Sequence, residues 1–114
     1  MTMNYNYLRT FQNPNFDINR PVIADTETIG FYGKTRLFQV AQDGVCFIYD
    51  TYYINIEDIK SFFKSYHLVF HNASYDLSCI NMQGWIPEKL DDTMFMARNF
   101  YPHLESHSLK NLLI

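Results

Sequence analysis

The chain has 114 residues, of which 47% are hydrophobic and 18% aromatic, which is enough for one domain with a packed core and too short for two ordinary ones. Four glycines and four prolines exclude a low-complexity chain. A formal net charge of −3 excludes a general basic face, although not a nucleic-acid enzyme, because metal ions reverse the sign of an acidic site that holds them.

Cys46 and Cys79 lack the close spacing of a zinc knuckle or a redox pair, so two small buried thiols are expected. The start MTMNYNYLRT is too polar for a secretory signal, and no apolar segment reaches membrane-spanning length. A soluble cytoplasmic protein without a membrane partner is expected.

Residues 1–20, rich in Asn and Tyr, read as an N-terminal arm or part of an edge strand, and residues 21–114 as the domain proper. Pro21 opens a first strand through about Thr26. A second spans 36–41, and Gln42-Asp43-Gly44 gives a tight-turn signal before a third at 45–49, so the first half predicts an antiparallel meander. Apolar positions 56, 59, 62, 63 and 66 then fall three and four apart, which predicts an amphipathic helix. Residues 67–71 form a short apolar run suited to a buried strand. Helices are expected over 72–82, from Asp92 as N-cap through Arg98, and from Ser108 onward. The last of these carries Leu109, Leu112 and Leu113 with no C-terminal cap, so its apolar side calls for a cover. The whole is a mixed α/β layer fold.

Two sets of acids stand out. Residues two apart on a strand share a face, so Asp25 and Glu27 stand side by side at the carboxyl end of the first strand. Two like charges so close raise each other's pKa unless a cation neutralises them, and oxygen ligands suit Mg²⁺ or Mn²⁺. A solvated strand end carries the same three-residue pattern. The second set, His71-Asn72-Ala73-Ser74-Tyr75-Asp76, follows the buried strand and enters a helix, where Asn72 and Asp76 share one side of the first turn. Asn72 as a helix cap and Asp76 near the positive helix end account for the same residues. Both sets nevertheless terminate buried strands, where α/β sheets place their sites.

The ordered runs VIADTET, FHNASYD, DDTMFMAR and HSLKNL resemble the 3′-5′ exonucleases of the DEDD superfamily, with a ribonuclease-H-like fold, and come nearest to the proofreading domain of family A DNA polymerases. The resemblance covers about residues 21–113. It implies a mixed sheet, an antiparallel meander plus a parallel strand, with packed helices. It also implies that Asp25, Glu27 and Asp76 are the catalytic acids and hold two divalent ions. Asn72 would then position the site or the substrate, Thr28 lie near the 3′ end, and Phe31 stack beside the terminal base, a place that a core phenylalanine fills equally well. Asp92-Thr93 and His107-Ser108-Leu109 match structural elements of the family. The implied reaction is two-metal hydrolysis of the terminal phosphodiester at the 3′ end of single-stranded DNA or RNA.

The third family motif, Tyr-x-x-x-Asp or His-x-x-x-x-Asp, supplies the fourth acid and the water-orienting side chain farther on in the family, and the sequence is expected to stop at Ile114 before it could appear. His103, His107, Asp91 and Glu105 have no spacing that replaces it. The domain is accordingly expected to be incomplete at its C-terminus, with one ion held rather than two. Two functions follow: a 3′-5′ exonuclease whose remainder comes from elsewhere, or a catalytically impaired exonuclease-like binding module or inhibitor. In either, a protein partner or a second copy would cover the C-terminal helix.

Overall fold

The computed structural model describes residues 3–30, 33–71, 73–82, 85 and 87–94. Six strands form one mixed sheet: β1 (Asn4–Leu8), β2 (Val22–Thr28), β3 (Thr35–Gln42), β4 (Val45–Asp50), β5 (His67–Phe70) and β6 (Lys89–Asp92), in the spatial order β1-β4-β3-β2-β5-β6. Helix α1 (Ile56–Phe63) joins β4 to β5, and α2 (Ala73–Ser78) follows β5, with a 3-10 turn at Ile80–Met82.

The meander is β2-β3-β4, antiparallel throughout. Its second turn is where the Asp-Gly signal placed it. Asp43 at φ 53° and Gly44 at φ 78° both take the left-handed conformation that a two-residue hairpin matching the strand twist requires. The remaining pairs, β1–β4, β2–β5 and β5–β6, are parallel. Consequently β1, β2, β4, β5 and β6 all run one way, and their carboxyl ends line one edge of the sheet.

Strand β2 alternates strictly. Val22, Ala24 and Thr26 are buried while Ile23, Asp25 and Glu27 are exposed, the period-2 pattern of a strand with one packed face. The core lies under the buried face: Phe38, Val40, Tyr49, Leu68 and Phe70 from the sheet meet Ile59 and Phe63 of α1. Asn55 starts α1 as its N-cap, its side-chain oxygen accepting the Glu57 N–H at 2.9 Å. Asn55→Ala is expected to cost about 1 kcal/mol, read as a lowered urea midpoint at constant m-value.

The structure departs from the sequence expectation in three places. Helix α1 stops at Phe63, and Tyr66 is buried by a turn instead, its N–H bonded to the Phe63 carbonyl at 3.1 Å. The helix expected over 72–82 is the shorter α2 plus the 3-10 turn. Residues 89–92 form β6, and Asp92, expected as a helix N-cap, closes that strand while its carboxylate accepts the Met94 N–H at 2.9 Å, as a cap does; the helices expected through Arg98 and from Ser108 lie outside the described residues. Cys46 and Cys79 are both buried and unpaired with each other, as expected. No helix among the described residues is long and apolar enough to cross a membrane.

Candidate active site

The sheet edge at the carboxyl ends of β2 and β5 collects the acids. Asp25 and Glu27 project from the outer face of β2, opposite Gln39 and Leu37 of β3. A register shift between Glu27 and Thr28 interrupts the β2–β3 ladder; such irregularities bend a strand and re-aim its side chains. Thr28 sits at the end of this bulge. Its hydroxyl donates to the Gly30 carbonyl at 2.9 Å and lies 3.1 Å from the Tyr75 hydroxyl, tying the strand end to α2.

Asp76 arrives from α2 on the other side. It is 4% exposed and accepts a hydrogen bond from the Thr26 hydroxyl, so it turns toward the core face of β2. Burial pushes its carboxyl up to about 7; Thr26 lowers it in part, and the charges of Asp25 and Asp92 raise it again. The Asp25 carboxylate keeps a path to water, yet the protein around it removes enough hydration to raise its pKa. The backbone N–H of Thr26 and the His71 ring act in the opposite sense. Asp76 on α2 thus feels the charges of Asp25 from β2 and Asp92 from β6. Asp92 also accepts the Ala73 N–H at 2.9 Å, joining the start of α2 to β6.

The structure therefore brings Asp25 beside Glu27, and Asp76 within electrostatic reach of Asp25. It does not close the three into one cage: among the described residues, no three His, Cys, Asp or Glu side chains converge to hold an ion. Asn72 and Phe31 lie outside the described residues, as do His103, Glu105 and His107. Asp91 is described and pairs with His67, its Oδ2 2.5 Å from the ring Nε2, so it serves the β5–β6 edge. The donor chemistry fits a hard divalent cation, since all three acids offer oxygen and two have raised pKa values that a positive charge would reverse.

Sequence reasoning missed three contributors. Tyr75 braces Thr28, and Thr26 orients Asp76 from the position between the two strand acids. His71 lines a cleft of about 530 Å³ beside Asp25 with Ile23, Val69, Phe70 and Thr93, and its Nδ1 lies 2.8 Å from the Thr93 hydroxyl. His71 and Tyr75 both stand in the run HNASYD, and their closeness to Asp76 in sequence was the available signal.

The buried Asp76 carboxyl carries a pH consequence. Its pKa is raised on folding, so the folded protein binds more protons than the unfolded chain between about pH 4 and 7. Stability of the metal-free protein should fall as pH rises through that window, by up to about 4 kcal/mol, and level off above it. Urea titrations in chelator at pH 5 and pH 8 check this, and stability that rises across the window would contradict it.

The sequence profile of the 3′-5′ exonuclease family matches residues 6–114. No curated protein matches the sequence. Among solved structures, Brucella melitensis NrnC superposes on 98% of this chain with a TM-score of 0.74 at 20% identity, using 59% of its own length. The same protein with bound Mg²⁺ gives 0.69 at 21% identity, covering 98% of this chain and 60% of that one. Escherichia coli RNase D, an exoribonuclease involved in structured RNA processing, gives 0.55 at 24% identity over 68% of this chain and 22% of its own. At these identities the likeness is one of fold, and the chain spans about three-fifths of the length of NrnC.

Proposed function

The chain belongs to the 3′-5′ exonuclease family, and on that footing we propose that it removes nucleotides from the 3′ end of single-stranded DNA or RNA by divalent-metal-dependent hydrolysis. The observation that carries this reading is geometric: Asp25 and Glu27 share the outer face at the carboxyl end of β2, and Asp76, on the helix that follows the neighbouring β5, is hydrogen-bonded to Thr26 between them. NrnC, which shares the fold, is known with Mg²⁺ bound and bound to pGG, which supports a metal and a nucleotide ligand here.

In this proposal Asp25, Glu27 and Asp76 hold Mg²⁺ or Mn²⁺. Bound there, the ion supplies a water of lowered pKa and positive charge for the leaving oxygen. The chain itself does the positioning. Asp25 and Glu27 are fixed by the strand period. Asp76 is held by Thr26 through one carboxylate oxygen, which leaves the other oxygen to face a cation. Thr28, locked by Gly30 and Tyr75, presents the strand end to the terminal nucleotide. The cleft lined by Ile23, Val69, Phe70 and His71 lies beside Asp25 with an apolar wall, suited to a sugar or base that must shed water. Asn72 and Phe31 complete the proposed substrate contacts.

The second reading, an exonuclease-like module that binds without cutting, draws on the acids not being gathered into one cage. A 5′-labelled single strand incubated with the full chain and Mn²⁺ separates the two. Shortening by single nucleotides from the 3′ end, abolished by chelator, is expected. A strand that is bound but stays intact would favour the module.

A further inference from the structure

Away from the acids, the surface carries an unbroken run of cations and rings. The Arg9 guanidinium lies 5.9 Å from the Tyr7 ring centre and 5.0 Å from that of Tyr53. Tyr53 meets Tyr52 edge to face at 5.2 Å, and Arg36 lies 5.3 Å from the Tyr52 ring. Tyr7, Tyr52 and Tyr53 nonetheless stay 51%, 75% and 54% exposed. The core does not need them; its aromatic contacts run through Tyr49, Phe38 and Phe63 instead.

Asp50, 1% exposed at the end of β4, holds this run in place from beneath. Its carboxylate accepts the Tyr7 hydroxyl, the Arg36 guanidinium and the Tyr52 N–H, and its carbonyl accepts the Tyr53 and Ile54 N–H groups. Asp50 therefore fixes the Tyr7 ring and the backbone that carries Tyr52 and Tyr53, which limits the ordering cost of binding. Arg9 and Lys34 have no carboxylate partner among the described residues, so in a chain of net charge −3 this edge offers free positive charge. A cavity of about 390 Å³, lined by Lys34, Arg36, Tyr52 and Asn55 together with Ile29, lies between the ring run and the turn that follows Thr28.

The topology puts this surface on the nuclease edge. The ends of β1 and β4, which supply Tyr7, Arg9, Tyr52 and Tyr53, lie at the same sheet edge as the end of β2, which supplies Glu27 and Thr28. From β2 to β1 is three strand spacings, ~14 Å, a reach of a few nucleotides.

We propose that Tyr7, Arg9, Tyr53, Tyr52 and Arg36, with Lys34, form a track for the single-stranded nucleic acid that trails in the 5′ direction from a 3′ end seated at the acids. The exposed rings stack bases without choosing among them, and Arg9, Lys34 and Arg36 meet the phosphates. This rests on the exonuclease reading, and it makes the chain a binder of strands longer than the active site alone would hold.

Fluorescence anisotropy in chelator, where nothing is cut, tests it with a labelled trinucleotide and a strand of about twelve nucleotides. The full chain should bind the longer strand at least about tenfold more tightly. Tyr52→Ala, Tyr53→Ala and Arg9→Gln should each remove most of that gain while leaving trinucleotide affinity within about twofold, and Arg9→Gln should also flatten the salt dependence by about one ion. A length gain that persists in all three variants overturns the track and leaves the exonuclease reading intact. Failure of the unaltered chain to bind either strand overturns both.

Discussion

Asp76→Asn should lower the rate of 3′-end cleavage by about 10²–10³-fold, the scale of removing one preorganised electrostatic group, and at the same time stabilise the metal-free protein at pH 8. The two effects have opposite signs for one physical reason. At pH 8 the folded chain holds an ionised carboxylate that is 4% exposed and coupled to Asp25 and Asp92, so ionisation works against folding. Asparagine has nearly the same shape, accepts the Thr26 hydroxyl through its own carbonyl oxygen, and carries no charge to desolvate. A gain of roughly 1–3 kcal/mol is expected at pH 8 and little at pH 5, since the full linkage value is offset by the new amide donor. Urea melts and single-turnover cleavage on the same preparations give both numbers. Loss of stability together with loss of activity would mark Asp76 as a structural acid.

The largest effect on folding is expected from Phe63→Ala. Phe63 is fully buried and its ring meets Phe38, Tyr49, Phe62 and Tyr66 at centroid distances of 4.9 to 5.9 Å. Removing it opens a cavity between α1 and the sheet that four rigid aromatic neighbours cannot fill by small shifts, at about 3–5 kcal/mol. That is a large part of the 5–15 kcal/mol typical of a domain. It also loosens Phe38, the cross-strand neighbour of Thr26, so activity should become more temperature-sensitive. A urea midpoint displaced by less than about 1 kcal/mol equivalent would mean that the aromatic cluster repacks.

What the sequence revealed follows from where local chemistry decides structure. The strand period of VIADTET puts Asp25 and Glu27 on one face, and the structure keeps them there. Asp43-Gly44 announces its hairpin because only certain residues tolerate that backbone. By contrast, β6 has one aliphatic residue in Lys-Leu-Asp-Asp, and it forms because β5 offers a parallel edge, which no local pattern records. Strand β1 is similarly polar and is fixed by pairing with β4 forty residues away. In the site, the helical spacing of HNASYD sets where Asp76 lies around α2. How α2 rolls against β2 is a matter of packing, and that roll directs Asp76 to Thr26 instead of to Glu27. The tyrosine–arginine run was invisible for the same reason, since Arg9, Arg36 and Tyr52 meet only once the sheet is assembled.

The central claim, that acids from β2 and α2 serve one divalent-ion site, is tested most directly by calorimetric titration of Mn²⁺ into the full chain and into Asp25→Ala and Asp76→Asn. Saturable binding by the unaltered chain, weakened at least about tenfold by each single substitution, is the predicted result. Equal Mn²⁺ affinity in all three proteins, or none in the unaltered chain, would contradict it.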